Sequence, residues 1–344
     1  AGDSLGLDSG LDGQTIMLGG SEIVVDKDLT IDASALPNGL TISGENLSRV
    51  FRVSGSAALT LAAGPISDGS APGAKSGGGI MVEPGSQLDL DEVTVKDNVA
   101  GDRGGGIHNA GVMNIYRSTI HGNDAGSTGG GIWTTVDNVL IQNSTITANT
   151  TGTGTGAGIH STGTGSALVL RHVTVAGNTS NMVSGTDLGA GVTSDALATL
   201  TRENTLIGDN LTKLGTPSDL LSDVTTIGAN LVENNSGVVL TGPALLTGDP
   251  LLSELGDHGG KTDTLLLLEG SPALDTGGVL TVPLGIDQRS ETRPQGSNPD
   301  IGAVEVIDLG AAFSAFGFAT GFSSRGDVIM YGQTAINHNG VSAV

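Results

Sequence analysis

Cysteine is absent from the 344-residue chain. A disulfide framework and a thiolate metal site are therefore both excluded. Aromatic residues are also scarce, with one Trp, two Tyr and five Phe. This scarcity argues against a conventional globular core and against a sugar-binding cleft lined with stacked rings. A thin interior filled with aliphatic side chains fits the composition better.

Positive charge is the next shortage. Lys and Arg total 14 against 36 Asp and Glu, which gives a formal net charge of −22. Such a field repels nucleic acid and anionic membrane surfaces, because phosphate binding needs clustered cations. No apolar run approaches the ~18 residues of a membrane span. The composition therefore predicts neither a nucleic-acid partner nor a membrane span.

What the chain has in excess is glycine, with 57 residues, and a repeat in its middle. GGGI-type runs recur, and each is followed by a short strand-like run that ends in a turn. The apolar residues after the glycines are Ile80, Ile107, Ile132, Ile159 and Val192. A second apolar set comprises Val95, Ile120, Ile146, Val175, Ile207 and, after a shorter coil, Ile227. Three residues after each member of the second set stands an asparagine: Asn98, Asn123, Asn149, Asn178, Asn210 and Asn230.

A period in the twenties made of short β runs and turn residues is typical of a solenoid. We therefore predict an all-β right-handed parallel β-helix over residues 1–305, with about ten or eleven coils stacked ~4.8 Å apart. The glycines, such as Gly104–Gly106, would turn the coil through positive φ. The asparagines would form a structural ladder, each amide bonding the next. Threonines would stack outside as a column: Thr94, Thr119, Thr145 and Thr174.

Near the end of this region the run GSPALD, then DQR, an Arg and DIGAVE, spans residues 270–305. With the GGGI repeats, it resembles exported bacterial β-helix proteins of the choice-of-anchor Q type, related to polymorphic outer-membrane-protein repeats. The resemblance implies that residues 249–305 cap the helix through an ion-pair network, and Ser290 stands where the family more often has Gly. The implied network comprises Asp275, Asp287, Arg289, Arg293 and Asp300. It also implies a protein that is secreted or held at the bacterial cell surface and has no established enzymatic activity.

Residues 306–344 break the repeat and hold five of the eight aromatic residues. This tail either packs along the rod or contacts another subunit. A β-helix ends in unpaired strand edges, which invite another chain unless they are covered. The candidate subunit contacts are Phe313, Phe316, Phe318, Phe322 and Tyr331. The partner expected from this argument is a second copy of the chain, forming a homopolymer.

Two exposed columns are candidates for chemistry. The residues after the inward isoleucines are Met81, His108, Trp133 and His160, which would hold a ligand or form an exposed stack. Two His without a third ligand make a poor metal site. The second column holds Glu92, Arg117, Asn143, His172 and Asn204, and its Glu–Arg pair is most simply a surface ion pair. Beside it, Asp89, Asp91 and Glu92 form an acidic patch with weak Ca²⁺ binding as its only implied cofactor.

These features favour a non-enzymatic extracellular structural or adhesive β-solenoid, a subunit of a cell-surface fibre or layer. The partners expected are further copies of the chain, or glycans of the cell surface or matrix. The alternative is a secreted polysaccharide lyase or hydrolase of the same fold. Such an enzyme needs a basic residue with a neutralising cation, or paired carboxylates. No catalytic residue and no metal site is predicted.

Overall fold

A computed structural model describes residues 2–135, 138–163, 167–182, 189–194, 199–221, 224–234, 240–278, 280, 284–306, 319–322 and 328–331. Apart from one 3-10 turn at Ser9–Leu11, its regular elements are β-strands. The strands are β1 (Asp3–Leu5), β2 (Thr15–Met17), β3 (Ile23–Val25), β4 (Leu29–Asp32), β5 (Thr41–Ser43), β6 (Phe51–Val53), β7 (Ala58–Ser67), β8 (Ser70–Ala71), β9 (Ile80–Val82), β10 (Gln87–Lys96), β11 (Val99–Ala100), β12 (Ile107–Asn109), β13 (Val112–Tyr116), β14 (Thr119–His121), β15 (Asp124–Ala125), β16 (Ile132–Thr134), β17 (Val139–Thr147), β18 (Thr150–Thr151), β19 (Ile159–Ser161), β20 (Ala167–Ala176), β21 (Thr179–Ser180), β22 (Val192–Ser194), β23 (Thr199–Glu203), β24 (Leu206–Gly208), β25 (Leu211–Thr212), β26 (Leu220–Leu221), β27 (Val224–Ile227), β28 (Leu231–Val232), β29 (Leu240–Thr241), β30 (Ala319–Phe322) and β31 (Val328–Tyr331).

The strands stack in parallel into three long sheets, which confirms the predicted all-β parallel β-helix. Sheet A has 15 strands and includes β4, β7, β10, β17 and β20. Sheet B runs from β3 to β26 with eight strands, and sheet C runs from β8 to β25 with six. Sheet B has one strand for each coil, so the solenoid has about eight turns. The expected ten or eleven coils were too many, because the described residues of 249–305 add no strand to the three sheets.

The inward-facing columns hold the core together. Ile107 pairs in register with Ile80 and Ile132, and the column continues through Ile159 and Val192. The second column is also as expected from Val95 to Ile207. Its next member is Val232, not Ile227. Ile227 instead pairs with Glu203 and is 37% exposed, because it lies in the other half of sheet A.

One core position breaks the aliphatic pattern. Arg202 lies opposite Leu170 in an inward column that otherwise reads Leu61, Leu90, Ile115, Ile141 and Leu170. Its side chain is fully buried, and within the described part of the chain its guanidinium nitrogens have no hydrogen-bond partner. Burial lowers the pKa of Arg202 to about 9.

A column of left-handed residues bends each coil in the middle of sheet A. The φ angles of Glu92, Arg117, Asn143, His172 and Asn204 lie between 44° and 56°. Strand register places these residues directly above one another. The predicted column therefore exists, and its members share a backbone conformation that residues other than glycine adopt uncommonly.

The repeated glycines do two different jobs. Gly104 has a φ of 63° and so makes the turn, as expected. Gly105 is needed for a different reason: a Cβ there would overlap the carbonyl oxygens of Asp124 and Gly130 on neighbouring chain segments. Glycine is thus required once for conformation and once for the close approach of adjacent coils.

The described residues of the 249–305 segment, here called the strap, lie along the side of the solenoid rather than over its end. The Thr119 hydroxyl donates to the carbonyl of Asp263, and the N–H of Ala303 donates to the Thr174 hydroxyl. A second apolar cluster, including Leu206, Leu267 and Ile301, forms between the strap and the outer face of sheet A. The expected end cap was therefore misplaced: threonine hydroxyls on this face provide lateral partners for the strap's backbone.

In the tail, β30 and β31 pair antiparallel, with Phe322 opposite Val328 and Tyr331 opposite Ala319. The candidate contacts Phe313, Phe316 and Phe318 lie outside the described residues. The assignment of these aromatic residues to a subunit contact stays a prediction. No helix in the described ranges has the length and apolarity to cross a membrane.

Candidate functional site: buried ladders and an open basic cleft

The recurring asparagines form a continuous buried ladder. The side-chain amide nitrogen of each donates to the amide oxygen of the next at 2.9 Å, in the order Asn98, Asn123, Asn149, Asn178 and Asn210. Each of these side chains is at most 1% exposed. The same oxygens also accept the backbone N–H of the preceding asparagine, as in Asn123 to Asn149. The repeated amides thus satisfy buried turn backbone and fix one coil on the next.

The ladder ends on a carboxylate that sequence reasoning missed. Asn210 donates its amide and its backbone N–H to Oδ1 of Asp219 at 2.9 and 3.1 Å. Burial raises the pKa of Asp219 to about 6, although the bonds from Asn210 and Asn234 oppose the shift. Asn230 was wrongly placed in this ladder. It bonds the backbone N–H of Thr205 instead, in a neighbouring column, because the Ile-x-x-Asn pattern at Ile227 belongs to the other half of sheet A.

Three of the four threonines of the column, Thr119, Thr145 and Thr174, are buried beneath the strap. Gln288, 1% exposed, donates to the Thr119 hydroxyl at 2.8 Å and accepts from the Thr145 hydroxyl at 2.7 Å. The strap also accepts hydrogen bonds from the left-handed column. The Asn143 amide donates to the carbonyl of Ile286, and the Asn204 amide donates to the carbonyl of Gly278. These polar groups are used for internal recognition.

The predicted ion-pair network exists only in part. Arg289 pairs with Asp287 at 3.0 Å, whereas Arg293 pairs with Glu305 at 3.3 Å, a residue the sequence did not single out. Asp300 accepts the backbone N–H of Asp275 at 2.7 Å and forms no ion pair among the described residues. Burial raises the pKa of Asp300 to about 7. The five residues therefore surround one buried site, but the side chains are linked mainly through backbone groups.

Two details connect this site to the rest of the chain. Arg293 donates to Nδ1 of His172 at 2.7 Å, and burial together with this guanidinium holds the pKa of His172 well below its usual value. His172 is therefore neutral and serves as an acceptor. Ser290 has a φ of 68°, the left-handed conformation that glycine would adopt readily. The turn forms with serine at this position.

The aromatic column is stacked, but it is not an exposed stripe. His108 lies in register between Met81 and Trp133, and the rings of His108 and Trp133 are 4.3 Å apart. Trp133 and His160 are only 6% and 8% exposed, so neither offers an open ring face to a ligand. Burial lowers the pKa of His108 to about 4, and nearby Arg103 and Arg49 act in the same direction. The column is therefore mainly a packing feature.

An open cleft lies at the beginning of the same column. It has a volume of about 540 Å³, within the roughly 300–1,000 Å³ of ordinary ligand pockets. Its charged lining residues come from three successive coils: Glu22 from the first, Arg49 and Arg52 from the second, and Lys75 and Glu83 from the third. We call these five residues the basic cleft. Three of the chain's 14 cations lie here with only two of its 36 carboxylates.

The acidic patch is largely occupied by protein donors. Asp89 accepts hydrogen bonds from Asn114 and Gln87, and Asp91 pairs with Arg117 at 2.5 Å. Glu92 lies 3.3 Å from the same guanidinium, which agrees with the predicted surface ion pair. In the ranges that the structure covers, no group of three or more His, Asp or Glu is arranged to hold a metal ion.

The sequence carries a signal for the basic cleft and for the neighbouring Arg103. Arg49, Lys75 and Arg103 stand shortly before three successive sheet B strands, at Phe51, Ile80 and Ile107. Clustered cations in a chain so poor in them indicate a local site. Their exact offsets differ, so alignment on the apolar residues does not reveal them.

Comparison with known proteins adds no identification: no family model, curated protein or solved structure matches the chain.

Proposed function

We propose that the protein is a non-enzymatic extracellular β-solenoid with a structural or adhesive role, a subunit of a bacterial cell-surface fibre or layer. The observation that carries the proposal is the burial of the repeated polar side chains. The ladder from Asn98 to Asn210 and the column from Thr119 to Thr174 bond to other parts of the chain. Repetition therefore serves stacking, as in scaffolding proteins built from coils.

Two further features support this proposal. The formal charge of −22 favours solubility outside the cell and repels nucleic acid. The GGGI repeats and the closing DQR and DIGAVE segments resemble choice-of-anchor Q proteins, and we propose membership of that family on these residues. Secretion or attachment to the cell surface is part of the same proposal.

The fibre or layer role is tested by measuring the mass of the purified protein over a range of concentrations and imaging it by negative stain. We expect mass to rise with concentration and ordered assemblies to appear. A protein that stays monomeric at high concentration would contradict the fibre or layer role and leave the adhesive one.

The alternative is a polysaccharide lyase, and the basic cleft is the observation that favours it. Arg52 and Lys75 supply cations beside Glu22 and Glu83, which are the residue types that uronate elimination uses. A lyase would release unsaturated uronates, which absorb in the ultraviolet. Steady formation of that absorbance from a uronate polymer would replace the non-enzymatic proposal with this one.

A further inference from the structure

The charged residues of the basic cleft differ in how far they are committed to protein partners. Arg49 is fully engaged: it pairs with Glu22 at 2.5 Å and donates to the carbonyls of Ser76 and Gly77 at 2.7 Å. Arg52 pairs with Glu83 at 2.7 Å, yet 41% of its side chain is exposed. The base of the cleft is thus held rigid by two Arg–Glu pairs.

The rim carries two cations, Lys75 and Arg103, that are less committed to protein partners than Arg49. Lys75 is exposed and, among the described residues, forms no ion pair or side-chain hydrogen bond. One coil further on, Arg103 is 47% exposed and forms an ion pair with Asp102 at 3.7 Å, and its guanidinium lies 5.0 Å from the centre of the Trp133 ring. The backbone N–H of Asp102 bonds the carbonyl of Lys75, so the two rim cations lie on adjacent coils. Their charge faces solvent in a chain that is otherwise strongly acidic.

From this arrangement we propose that the basic cleft and Arg103 bind an acidic polysaccharide, with Lys75 and Arg103 contacting its carboxylates and the Arg52–Glu83 pair contacting its hydroxyls. The inference rests on the adhesive side of the proposed function and names its ligand class. Arg–Glu pairs present donors and acceptors together, which suits a ligand rich in hydroxyl groups.

The charge density of the ligand distinguishes an acidic polysaccharide from a nucleic acid. Duplex DNA carries one negative charge per ~1.7 Å and needs a stripe of cations to bind. The rim offers two cations on coils ~4.8 Å apart, the unpaired Lys75 and the exposed Arg103, within a chain of net charge −22. A polysaccharide with about one carboxylate per sugar can place successive carboxylates on these two spaced cations. A polyanion of higher charge density would be repelled by the negative charge of the rest of the chain.

The test compares binding of the full chain to polygalacturonate and to dextran, a neutral control, by calorimetry at low and moderate salt. We expect polygalacturonate to bind, dextran not to bind, and salt to weaken the interaction. The double variant Lys75→Gln and Arg103→Gln should weaken binding by roughly tenfold or more. Lys213→Gln, which removes one exposed cation elsewhere, should leave it unchanged.

One further variant sharpens the result. Lys75→Arg keeps the charge and should retain binding, which separates loss of charge from loss of fold. Equal weakening by Lys213→Gln, or binding of dextran alone, would overturn the acidic ligand at this cleft while leaving an adhesive role. Failure to bind either polymer would also overturn it, and the mass measurement would then decide the structural role separately. Release of unsaturated uronate would instead overturn the non-enzymatic proposal and keep the cleft as the site.

Discussion

At the scale of single residues, Asp219 shows how a repeat is ended. An asparagine at that position would have continued the ladder, but its nitrogen would face the N–H of Asn234, which now donates to Oδ2 of Asp219 at 2.8 Å. A carboxylate accepts from both sides. The cost is burial of a titrating group, which is visible in its pKa of about 6.

Replacing Asp219 with Asn should change how stability depends on pH. Because the folded-state pKa of Asp219 lies above its unfolded value of 3.8, the folded protein binds the proton more tightly, and stability falls as pH rises from about 4 to about 6. Asparagine does not titrate, so the free energy of unfolding of D219N should not fall in this way. The difference in unfolding free energy, D219N minus the unmodified protein, should therefore rise between pH 4 and pH 7 by up to on the order of 3 kcal/mol. Denaturant unfolding at pH 4 and pH 7 measures this. The exposed control Asp26→Asn should show no such gain, and an offset for D219N that is the same at both pH values would contradict the account.

A second residue-scale prediction concerns Arg202. Its guanidinium is buried in an aliphatic column without a hydrogen-bond partner in the described ranges, so its desolvation is uncompensated. Arg202→Leu should raise the free energy of unfolding by about 1–4 kcal/mol, as when other buried charges are replaced by apolar residues. Denaturant unfolding gives the value. The exposed Lys213→Leu should change it by less than about 0.5 kcal/mol. Destabilisation by Arg202→Leu would show that a counter-charge or water satisfies the arginine.

At the scale of elements, the strap depends on polar recognition of columns that the solenoid presents on its side. Gln288 contributes most, since its amide bonds the carbonyl of Ser118 and the hydroxyls of Thr119, Thr145 and Thr262. Without this amide, buried hydroxyls on both partners lose their bonds.

Gln288→Ala should therefore loosen the strap. We expect a loss of roughly 1–3 kcal/mol, with faster hydrogen exchange across the strap than across sheet B. Gln14→Ala, at an exposed position, is the matched control and should leave exchange unchanged. Uniform acceleration in all sheets after Gln288→Ala would mean that the strap unfolds only together with the solenoid.

The elements also show what sequence could and could not predict. The inward columns and the ladder from Asn98 to Asn210 follow from residues that recur at regular steps, because stacking imposes the same environment on each coil. The path of the strap does not follow, since its residues have no period and their hydrogen-bond partners on the solenoid lie 74 or more residues away. Ile227 was wrongly assigned to the second inward column because a chance Ile-x-x-Asn match occurs there. The column instead continues at Val232.

At the scale of the whole molecule, none of the described strands covers the outer edge of β2 in the first coil. Ile16 belongs to the inward column through Ile42 and Ile66, yet it is 40% exposed, and Met17 beside it is 68% exposed. Strand β2 pairs only with β5 among the described strands, which leaves its other edge open. Such an edge with apolar side chains favours pairing with another chain.

Self-association through this end is predicted to fail when Ile16 is replaced by Lys. A charge there would be desolvated by any chain stacked on the coil, so mass at high concentration should fall toward that of the monomer. Leu214→Lys, at a position 71% exposed, should leave the mass unchanged. If both variants behave alike, the contact lies elsewhere on the surface.

The strap also fixes the number of coils in the part of the solenoid that it spans. It touches the coil of Arg117 at Thr262, that of Asn143 at Ile286, that of His172 at Arg293 and that of Asn204 at Gly278, each at its own point along the span. Duplicating a storey beneath it would shift later attachment points by ~4.8 Å, more than a hydrogen bond can stretch. The number of coils in this part of the molecule is consequently fixed by the strap, which does not share the repeat. Inserting a coil between the attachment points would require a longer strap.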